Sequence, residues 1–560
     1  MATVATAKWK KGTFALAYPL SPQRVDRRSI SGNTARAVAA LPQLMIFFNL
    51  ADHFVDRHIR GGRASKIAIR CGESIHTYGE VAANVNRVGN TLLNLGLQPG
   101  RRVLLLLPDC PEFAAAYFGV IKVGAVAVPT NTAARAVDYD YFLRESEARV
   151  LIAHSTIFNQ VAPILTSQPY LQHVIVVGEP QHNCLHWDKL LAESSLELSS
   201  ARTSEEDIAF WLWTSGSTGR PKAAVHLQRD WLCCCRSYAS GVLGISPDDI
   251  TFSSSKLFHA YGLGNGLMFP FYAGATTVLY PGKVQAAAVL EIAQHFRPTL
   301  FFSIPTLYAL MLQEVEHELY CLDSIRLAVS AAEPLPVEIF RRWHRKFGME
   351  ILDGIGSTEA LHIYLSARPG HVTPGSTGKA VPGYALCIVD SDGVEVPVGT
   401  IGDLLVAGDS IAPCYWNRHE LTSERMRGKW FFTGDKYRVD ADGHYWYEGR
   451  SDDMFRVSGQ WVSPTEVESA LIEHNCVLEA AVVPYQEDAE LHTPKAFIVL
   501  RRNIAATSEL AQELQDFIKN RIAPYKYPRR IEFVDQLPKN AAGKVLRYRL
   551  REKPPDEHTK

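Results

Sequence analysis

The stretch WTSGSTGRPK (residues 213–222) follows directly on the strand-like run AFWL. Glycines and small hydroxyl residues let backbone N–H groups and side-chain hydroxyls close around an anion, and Lys222 adds a mobile positive charge. The motif GxxxxGK[ST] does not fit, because Pro221 stands where it needs a glycine and Ala223 stands where it needs a hydroxyl. An isolated run of five such residues would be explained by a surface turn rich in Ser and Gly. A run of ten residues that directly follows a strand instead predicts a phosphate-binding loop.

Outward from this loop, strand-like apolar runs alternate with helical periodicity. The run RVLLLLP at 102–108 predicts a buried strand, and residues 112–123 predict the helix after it. Further buried strands are predicted at 150–154, 173–178, 299–305 and 325–331. Because helical segments separate several of these runs, the rhythm is that of βαβ units, and it predicts a doubly wound, parallel α/β fold.

The pattern changes after Gly370. The segment GYALCIVDSDGVEVPVGTIGDLLVAG at 383–408 predicts a β-rich subdomain or barrel, and helical periodicity is expected to return only after Pro464. The charged stretch RSDD at 450–453 predicts a boundary before a small final domain of mixed α and β pattern. The predicted division is therefore an N-terminal domain over 45–450, a hinge at 451–452 and a C-terminal domain over 453–560.

Composition narrows the classes of partner. Lys plus Arg number 58 and Asp plus Glu number 59, so no overall field draws the protein to nucleic acid. No apolar run is long and unbroken enough to predict stable insertion into a membrane. The ten cysteines include no CxxC pair and no zinc-like spacing, which favours a reducing cytoplasm. Small molecules are the expected partners.

The first 44 residues differ from the rest of the chain. They hold seven basic residues against the single acid Asp26; the basic residues are Lys8, Lys10, Lys11, Arg24, Arg27, Arg28 and Arg36. This composition favours a disordered extension, or a mistranslated one before a start at Met45. An organelle transit segment has a similar composition, whereas the apolar run of a secretory signal is missing.

Five motifs occur in the order shown by one known superfamily. They are WTSGSTGRPK at 213–222, GIGSTE at 354–359, TGD at 433–435, GRSDD at 449–453 and LPKNAAGKVLR at 537–547. With these motifs the chain resembles the adenylate-forming acyl-CoA synthetases over residues 47–551. The resemblance implies a large N-terminal domain of α/β subdomains with a β-barrel-like subdomain, and a small, mobile α+β C-terminal domain.

The resemblance also implies a nucleotide site. In it, Thr358 would contact the α-phosphate of ATP, and Glu359 would bind Mg2+, a cation that prefers oxygen ligands. Asp435 would accept hydrogen bonds from the ribose hydroxyls, with Arg450 nearby. The implied ATP- or AMP-binding residues are Thr214, Ser215, Gly216, Ser217, Thr218, Gly219, Lys222, Ala332, Glu333, Asp353, Gly354, Asp435 and Arg450.

The C-terminal motifs imply three further roles. Lys544 would be the catalytic lysine, because a fixed ammonium group lowers the barrier when a carboxylate attacks an anionic phosphate. Asp452 would be the hinge residue about which the C-terminal domain turns. Ser458 and Gly459 would meet the pantetheine arm of coenzyme A, with Gly459 permitting close backbone approach.

Within the superfamily the chain is most similar to the benzoate-CoA ligases. The similarity rests on KLFHAYGLGN at 256–265, DGIGSTEALHIYLS at 353–366 and VSGQWVSPTEVE at 457–468. It implies an acid pocket lined by Ala260, Tyr261, Gly356, His362 and Ile363. Tyr261 offers an aromatic wall, and His362 would hydrogen-bond either the carboxylate or a ring substituent. His259 departs from the family pattern beside this pocket, so the preferred ring substituent stays open.

The implied activity is formation of an acyl-adenylate from ATP and an aromatic acid, followed by transfer of the acyl group to coenzyme A. ATP, Mg2+ and coenzyme A are the implied cofactors, and a monomer and a homodimer are both open. Alternatives are loading of a carrier protein and activation of another small carboxylic acid. A catalytically dead binding protein is the third alternative, and the intact charged residues disfavour it.

Overall fold

The structure is a computed structural model that describes residues 47–214, 220–315, 320–451, 453–457, 460–488, 491–539 and 545–551. The extension predicted at residues 1–44 lies outside this part of the chain.

A seven-stranded sheet is built from the first half of the chain. All five residues of its central strand Arg102–Leu106 are buried, as expected for a strand covered on both faces. Neighbouring strands are parallel except the last two, which run antiparallel. In spatial order the strands are Leu185–His186, His173–Val177, Val150–His154, Arg102–Leu106, Val126–Pro129, Ile208–Thr214 and Lys222–Leu227.

A nine-stranded sheet uses later segments and one early hairpin. Its six central strands are parallel, and antiparallel strands complete both edges. In spatial order the strands are Lys379–Ala380, Ile363–Ser366, Ile351–Gly356, Leu327–Ser330, Leu300–Ser303, Ile250–Ser253, Thr276–Val278, Ile67–Cys71 and Ser74–Thr77. These two sheets confirm the predicted doubly wound α/β fold.

Helices cover the sheets, and the largest core cluster contains residues of both sheets and of several helices. Helix Tyr78–Asn94 begins at Thr77 with a capping box, in which Thr77 and Glu80 satisfy each other's backbone N–H groups. It packs on helix Pro111–Lys122. A Cβ at Gly119 would lie 2.8 Å from the side chain of Val88, so glycine permits the close approach of the two helices.

The α-helices that precede the β-rich region are Arg57–Arg60, Tyr78–Asn94, Pro111–Lys122, Ala136–Ser146, Ser155–Val161, Trp187–Ala192, Asp230–Cys234, Ala260–Leu263, Phe269–Ala273, Ala286–Phe296, Pro305–Glu314 and Val337–Phe347. The π-helical turns are Asp52–Asp56, Cys235–Ser240 and Gly264–Met268, and Ala162–Ser167 is a 3₁₀ helix. In the described residues no helix is both long and apolar enough to cross a lipid bilayer.

The predicted β-rich region is a five-stranded antiparallel sheet. Its strands are Ala385–Val389, Gly402–Ala407, Met426–Arg427, Trp430–Val439 and Tyr445–Arg450. The expectation that helices return only after Pro464 is wrong, because helix His419–Arg425 lies within this region. Its sequence HELTSER has a single apolar residue and none of its residues is buried, so apolar periodicity gives no signal for it.

The C-terminal part has its own core, formed by two helices on a three-stranded sheet, with Val467, Leu471, Val482, Leu514 and Ile518 at its centre. Its strands are Phe455–Val457, Gln460–Val462, Val477–Asp488, Leu491–Leu500 and Arg530–Phe533, and its helices are Pro464–Ile472, Ser508–Lys519, Pro524–Lys526 and Arg547–Arg551. Ile472 and Leu478 pack against the core of the nine-stranded sheet's helices. Arg502 Nη2 also lies 2.9 Å from Glu314 Oε1.

Candidate active site

The segment from Asp353 to Ile363 carries residues predicted for both the nucleotide and the acid. Strand Ile351–Gly356 ends here, and the chain returns antiparallel in strand Ile363–Ser366. A Cβ at Gly356 would lie 2.5 Å from the carbonyl oxygen of His362, so the two passes of the chain approach too closely for any other residue. Glu359 and His362 are therefore held on one short reversal of the backbone.

A buried charged group connects the predicted phosphate loop to this segment. Thr214 and Lys222 are paired across two antiparallel strands, so the two described ends of the loop lie side by side. Lys222 Nζ lies 3.6 Å from Glu359 Oε1 and 4.0 Å from the centre of the Tyr415 ring. Tyr415 donates its hydroxyl hydrogen to the same Glu359 oxygen at 2.5 Å. The side chains of Lys222 and Glu359 are 14% and 9% exposed, so little water screens the pair.

The electrostatics of Lys222 reflect this setting. Burial lowers the pKa of its ammonium group, the charge of Glu359 raises it, and the charges of Arg425 and Arg450 lower it further. Three cations thus lie close enough to influence one another, which favours an anionic ligand at this place.

Thr358 is held through its backbone. Its carbonyl oxygen lies 2.9 Å from Nε2 of His226, and Nδ1 of His226 lies 2.9 Å from Oδ2 of Asp230, whose side chain is fully buried. Asp230 also accepts the N–H of Leu227 at 3.0 Å. Both ring nitrogens of His226 thus face oxygen atoms of its neighbours, and these contacts fix the orientation of the ring. His226 and Asp230 therefore position the turn that carries Thr358.

The predicted ribose residues face each other across the β-rich sheet. Asp435 and Arg450 are cross-strand partners, and Arg450 Nη1 donates to Asp435 Oδ1 at 3.1 Å and to the carbonyl oxygen of Thr433 at 3.2 Å. Gly434, at φ +79°, lies in strand Trp430–Val439 where the register with strand Gly402–Ala407 shifts. Asp435 is 7% exposed, so its carboxylate is fixed by the protein.

The other predicted nucleotide-binding residues lie just after strand Leu327–Ser330 and within its neighbour, strand Ile351–Gly356. Ala332 has a φ of +74°, which is uncommon for a residue with a side chain, and it precedes Glu333. Glu333 accepts hydrogen bonds from Thr306 through Oε2, and burial raises its pKa. Burial also raises the pKa of Asp353 to about 8. Gly354 is buried against the side chain of Ile363.

The predicted acid pocket is aromatic. Ala260 and Ile363 are 8% and 1% exposed, and both belong to the shared core. The Tyr261 hydroxyl donates to the carbonyl oxygens of Ser303 and Val329, at 3.3 Å each, so the protein fixes the ring. The centre of the His362 ring lies 5.7 Å from that of Tyr261 and 4.5 Å from that of Phe269. The residues predicted for the acid pocket thus pack among aromatic rings.

Two imidazoles bring polar atoms to this apolar surface. His362 is 2% exposed, and neither ring nitrogen has a hydrogen-bond partner of good geometry in the described residues. Burial lowers the pKa of His362 to about 3, against a smaller opposing effect of the Tyr261 backbone. His259, just before Ala260, has a buried Nε2 with no described partner, and burial lowers its pKa to about 4. Both rings are therefore neutral near pH 7 and can hydrogen-bond a polar ligand.

Several predicted site residues lie outside the described residues. They are Ser215, Gly216, Ser217, Thr218 and Gly219 of the loop, Asp452 of the hinge, Ser458 and Gly459 of the coenzyme A contact, and Lys544. Their roles stay predictions from the resemblance.

Three residues of the site were missed from the sequence. His226 and Asp230 stand four residues apart, which is the spacing of helical neighbours, but a lone His and Asp pair is too common to single out. Tyr415 follows no motif, and only the fold brings it to Glu359.

The oxygen chemistry of Glu359 suits Mg2+. A buried carboxylate, held at one oxygen by Tyr415 and set among cations, fits a hard cation that shares phosphate ligands. Another group, Asp440, Asp442 and His444, lies in an exposed turn elsewhere. There both Asp440 oxygens already accept N–H groups, from Asp442, His444 and Trp446.

Comparison with known proteins covers most of the chain. The family model "AMP-binding enzyme" matches residues 56–416, and "AMP-binding enzyme C-terminal domain" matches residues 466–544. The chain is 46% identical to the benzoate--CoA ligase of Thauera aromatica over 506 residues, which cover 90% of this chain and 96% of that protein.

Two solved structures are also similar. The anthranilate CoA ligase AuaEII in complex with anthranoyl-AMP gives a TM-score of 0.88 at 41% identity, covering 91% of this chain and 98% of that one. A benzoate CoA ligase from Burkholderia xenovorans LB400 gives a TM-score of 0.84 at 42% identity, covering 90% and 100%.

Proposed function

The chain belongs to the family of AMP-binding enzymes, and from that premise we propose that it ligates an aromatic carboxylic acid to coenzyme A. In the first half-reaction the carboxylate attacks the α-phosphorus of ATP, forming acyl-AMP as pyrophosphate leaves. In the second, the thiol of coenzyme A attacks the acyl carbon, and AMP leaves as the thioester forms.

The observation that carries the proposal is the double role of the segment from Asp353 to Ile363. Within it, Glu359 meets Lys222 and Tyr415 in a cation-rich cluster. Three residues further on, His362 packs against the ring of Tyr261, and its carbonyl oxygen lies against Gly356. One short reversal of the chain would therefore hold an acid beside a polyphosphate, which is the proximity that adenylation needs.

The residues of the cluster would act by position and charge. Lys222 would hold a terminal phosphate, Thr358 would contact the α-phosphate, and the Asp435 carboxylate would accept hydrogen bonds from the ribose hydroxyls. Glu359 would hold Mg2+, which when bound neutralises phosphate charge. Ala332, Glu333, Asp353 and Gly354 would complete the ATP or AMP site.

Two proteins named for aromatic acids support the choice of substrate. The Thauera relative is named for benzoate, and the AuaEII complex contains an anthranoyl-adenylate. The ring contacts of Tyr261 and His362 agree with an acid of that size. Benzoate and substituted benzoates are therefore the proposed class, with the His362 nitrogens available to the carboxylate or a ring substituent.

The C-terminal residues complete the proposal. Lys544 would supply positive charge during adenylation, Asp452 would be the hinge, and Ser458 with Gly459 would meet pantetheine. The proposed division is again an N-terminal domain over 45–450, a hinge at 451–452 and a C-terminal domain over 453–560, with 1–44 as an added segment.

The partners are small molecules. A monomer and a homodimer both suit this chemistry, and neither nucleic acid nor membrane insertion is part of it. We place the reaction in the cytoplasm, in line with ten cysteines that carry no disulfide in the described residues.

Two assays test the proposal. Exchange of labelled pyrophosphate into ATP that depends on benzoate reports the first half-reaction, and formation of benzoyl-CoA reports the second. A panel of hydroxybenzoates, aminobenzoates, cinnamates and short fatty acids defines the acid. Transfer to a carrier protein but not to coenzyme A would reject the ligase assignment, and the absence of exchange across the panel would favour a binding protein.

A further inference from the structure

Arg425 lies beside the proposed nucleotide site although it belongs to none of the five motifs. It ends helix His419–Arg425, in the region where no helix was predicted. A Cβ at Gly434 would lie 3.0 Å from Arg425 Nη1 and 3.0 Å from Arg450 Nη2. The two guanidinium groups therefore flank the same glycine of the TGD motif.

Few groups among the described residues offset the positive charge of Arg425. Its Nε is buried without a hydrogen-bond partner, and its Nη1 reaches the carbonyl oxygen of Phe432 only at 3.5 Å. The nearest carboxylate oxygen recorded for it is Oε1 of Glu424, at 3.6 Å, on a side chain that is 62% exposed. An ion pair of this length on the surface is weak. A guanidinium with a buried, unused donor is suited to an oxyanion ligand.

Arg425 is connected to the Lys222 side of the site through Tyr415, whose ring centre lies 4.0 Å from Lys222 Nζ. Helix His419–Arg425 is tied to Tyr415, because the Tyr415 N–H donates to the hydroxyl of Thr422 at 3.0 Å. Arg450, in contrast, is paired with Asp435.

Apart from the exposed Glu424, the charges of this cluster leave one positive charge in excess. Lys222, Arg425 and Arg450 stand against Glu359 and Asp435, whereas the Glu424 side chain is 62% exposed. An anion with several oxygens would offset that excess, and a planar guanidinium can bind two phosphate oxygens at once.

We propose that Arg425 binds the outer phosphates of ATP and the departing pyrophosphate, together with Lys222. This inference rests on the proposed function, since it assigns another residue to the same nucleotide. A purely structural arginine, placed to stabilise the last turn of a helix, is the competing explanation.

Binding measurements separate the two roles. Isothermal titration with Mg-ATP, Mg-pyrophosphate and AMP is applied to the wild-type chain, Arg425→Ala and Arg425→Lys. The matched control is Arg427→Ala, which removes an exposed arginine two residues away. We expect Arg425→Ala to weaken pyrophosphate and ATP at least ~10-fold, on the scale of a lost charged hydrogen bond, and AMP less than ~2-fold. Arg425→Lys should recover part of the loss, and Arg427→Ala should change none of the three.

The outcomes are distinct. Equal weakening of AMP and pyrophosphate, or unchanged pyrophosphate binding by a folded Arg425→Ala protein, would overturn the assignment. Thermal unfolding of each variant identifies a folding defect, and in that case the Arg425→Lys protein decides between the two explanations. If wild type binds pyrophosphate through Arg425 but shows no acid-dependent exchange, the proposed function fails while this inference stands.

Discussion

Tyr415 donates its hydroxyl hydrogen to Glu359 Oε1 at 2.5 Å, while its ring faces Nζ of Lys222 at 4.0 Å. One side chain thus orients the carboxylate proposed to hold Mg2+ and contacts the ammonium group proposed to hold phosphate. The burial of the three groups makes both contacts stronger than their surface equivalents.

Tyr415→Phe tests the hydrogen bond separately from the ring. The variant keeps the contact with Lys222 but frees Glu359, so we expect the Mg2+ concentration for half-maximal exchange to rise ~10-fold, on the scale of one hydrogen bond to a charged group. Titration of the exchange rate with Mg2+ measures this. Tyr308→Phe is the control, because it removes another buried hydroxyl, one that donates to the Val329 carbonyl at 3.1 Å. Equal effects in the two variants would show that the Tyr415 hydroxyl serves stability alone.

Tyr261→Phe is expected to have little effect on the acid. Its hydroxyl already donates to two backbone carbonyls, so its loss should lower the free energy of unfolding by about 1 kcal/mol and alter the Michaelis constant for benzoate less than ~3-fold. Tyr261→Ala removes the ring and should raise that constant ~10-fold, on the scale of an aromatic contact. Initial rates over a range of benzoate concentrations compare the two. A large change in Tyr261→Phe would instead assign the hydroxyl to the substrate.

The sequence predicted the structure well where it contains a periodic apolar pattern or a family motif. Strand Val150–His154 and helix Pro111–Lys122 lie where the apolar runs predicted them, to within a residue, because buried parallel strands and their crossover helices have strong periodic signals. The family resemblance is confirmed by the match to AMP-binding enzymes. The resemblance predicted that Lys222 and Glu359 belong to one site although they are far apart in sequence, and Lys222 Nζ lies 3.6 Å from Glu359 Oε1.

Other parts of the site had no such signal. Arg425 and Tyr415 are positioned by helix His419–Arg425 and its connection, where polar residues give no apolar period. The His226–Asp230 pair acts through the backbone of Thr358, a contact that only folding creates. Side chains that support a site from outside its motifs are thus the ones that sequence patterns miss.

His362 should make stability depend on pH. Its pKa is about 3 in the folded protein and 6.5 in the unfolded chain. As pH falls below 6.5, the unfolded chain therefore binds a proton at this ring that the folded chain does not bind. The stability is therefore present above pH 6.5 and is lost as pH falls toward 3. Between pH 7 and pH 5 this one group should cost about 2 kcal/mol.

The matched variant His362→Gln has no titrating ring. Urea unfolding of both proteins at pH 7 and pH 5 gives the difference in their pH dependence, in which the other buried histidines cancel. We expect the wild type to lose about 2 kcal/mol more than the variant over this interval. Identical losses would mean that the His362 ring is protonated in the folded state at pH 5.

Lys544→Ala is expected to abolish most adenylation while leaving the fold intact. Lys544 lies outside the described residues, but the residues on either side of it are well anchored. Lys539 and Val545 form an antiparallel bridge, Lys539 Nζ lies 2.7 Å from Glu479 Oε2, and Arg547 Nη2 lies 2.7 Å from Glu468 Oε2. Loss of one electrostatic stabiliser of the transition state should slow benzoate-dependent exchange at least ~10²-fold.

Lys519→Ala, which removes a lysine paired with Asp516 in the same part of the chain, should retain the wild-type rate. Supplied benzoyl-AMP should still yield benzoyl-CoA in the Lys544 variant, because that half-reaction no longer forms negative charge between a carboxylate and the α-phosphate. Exchange at the wild-type rate in folded Lys544→Ala protein would remove this lysine from the mechanism.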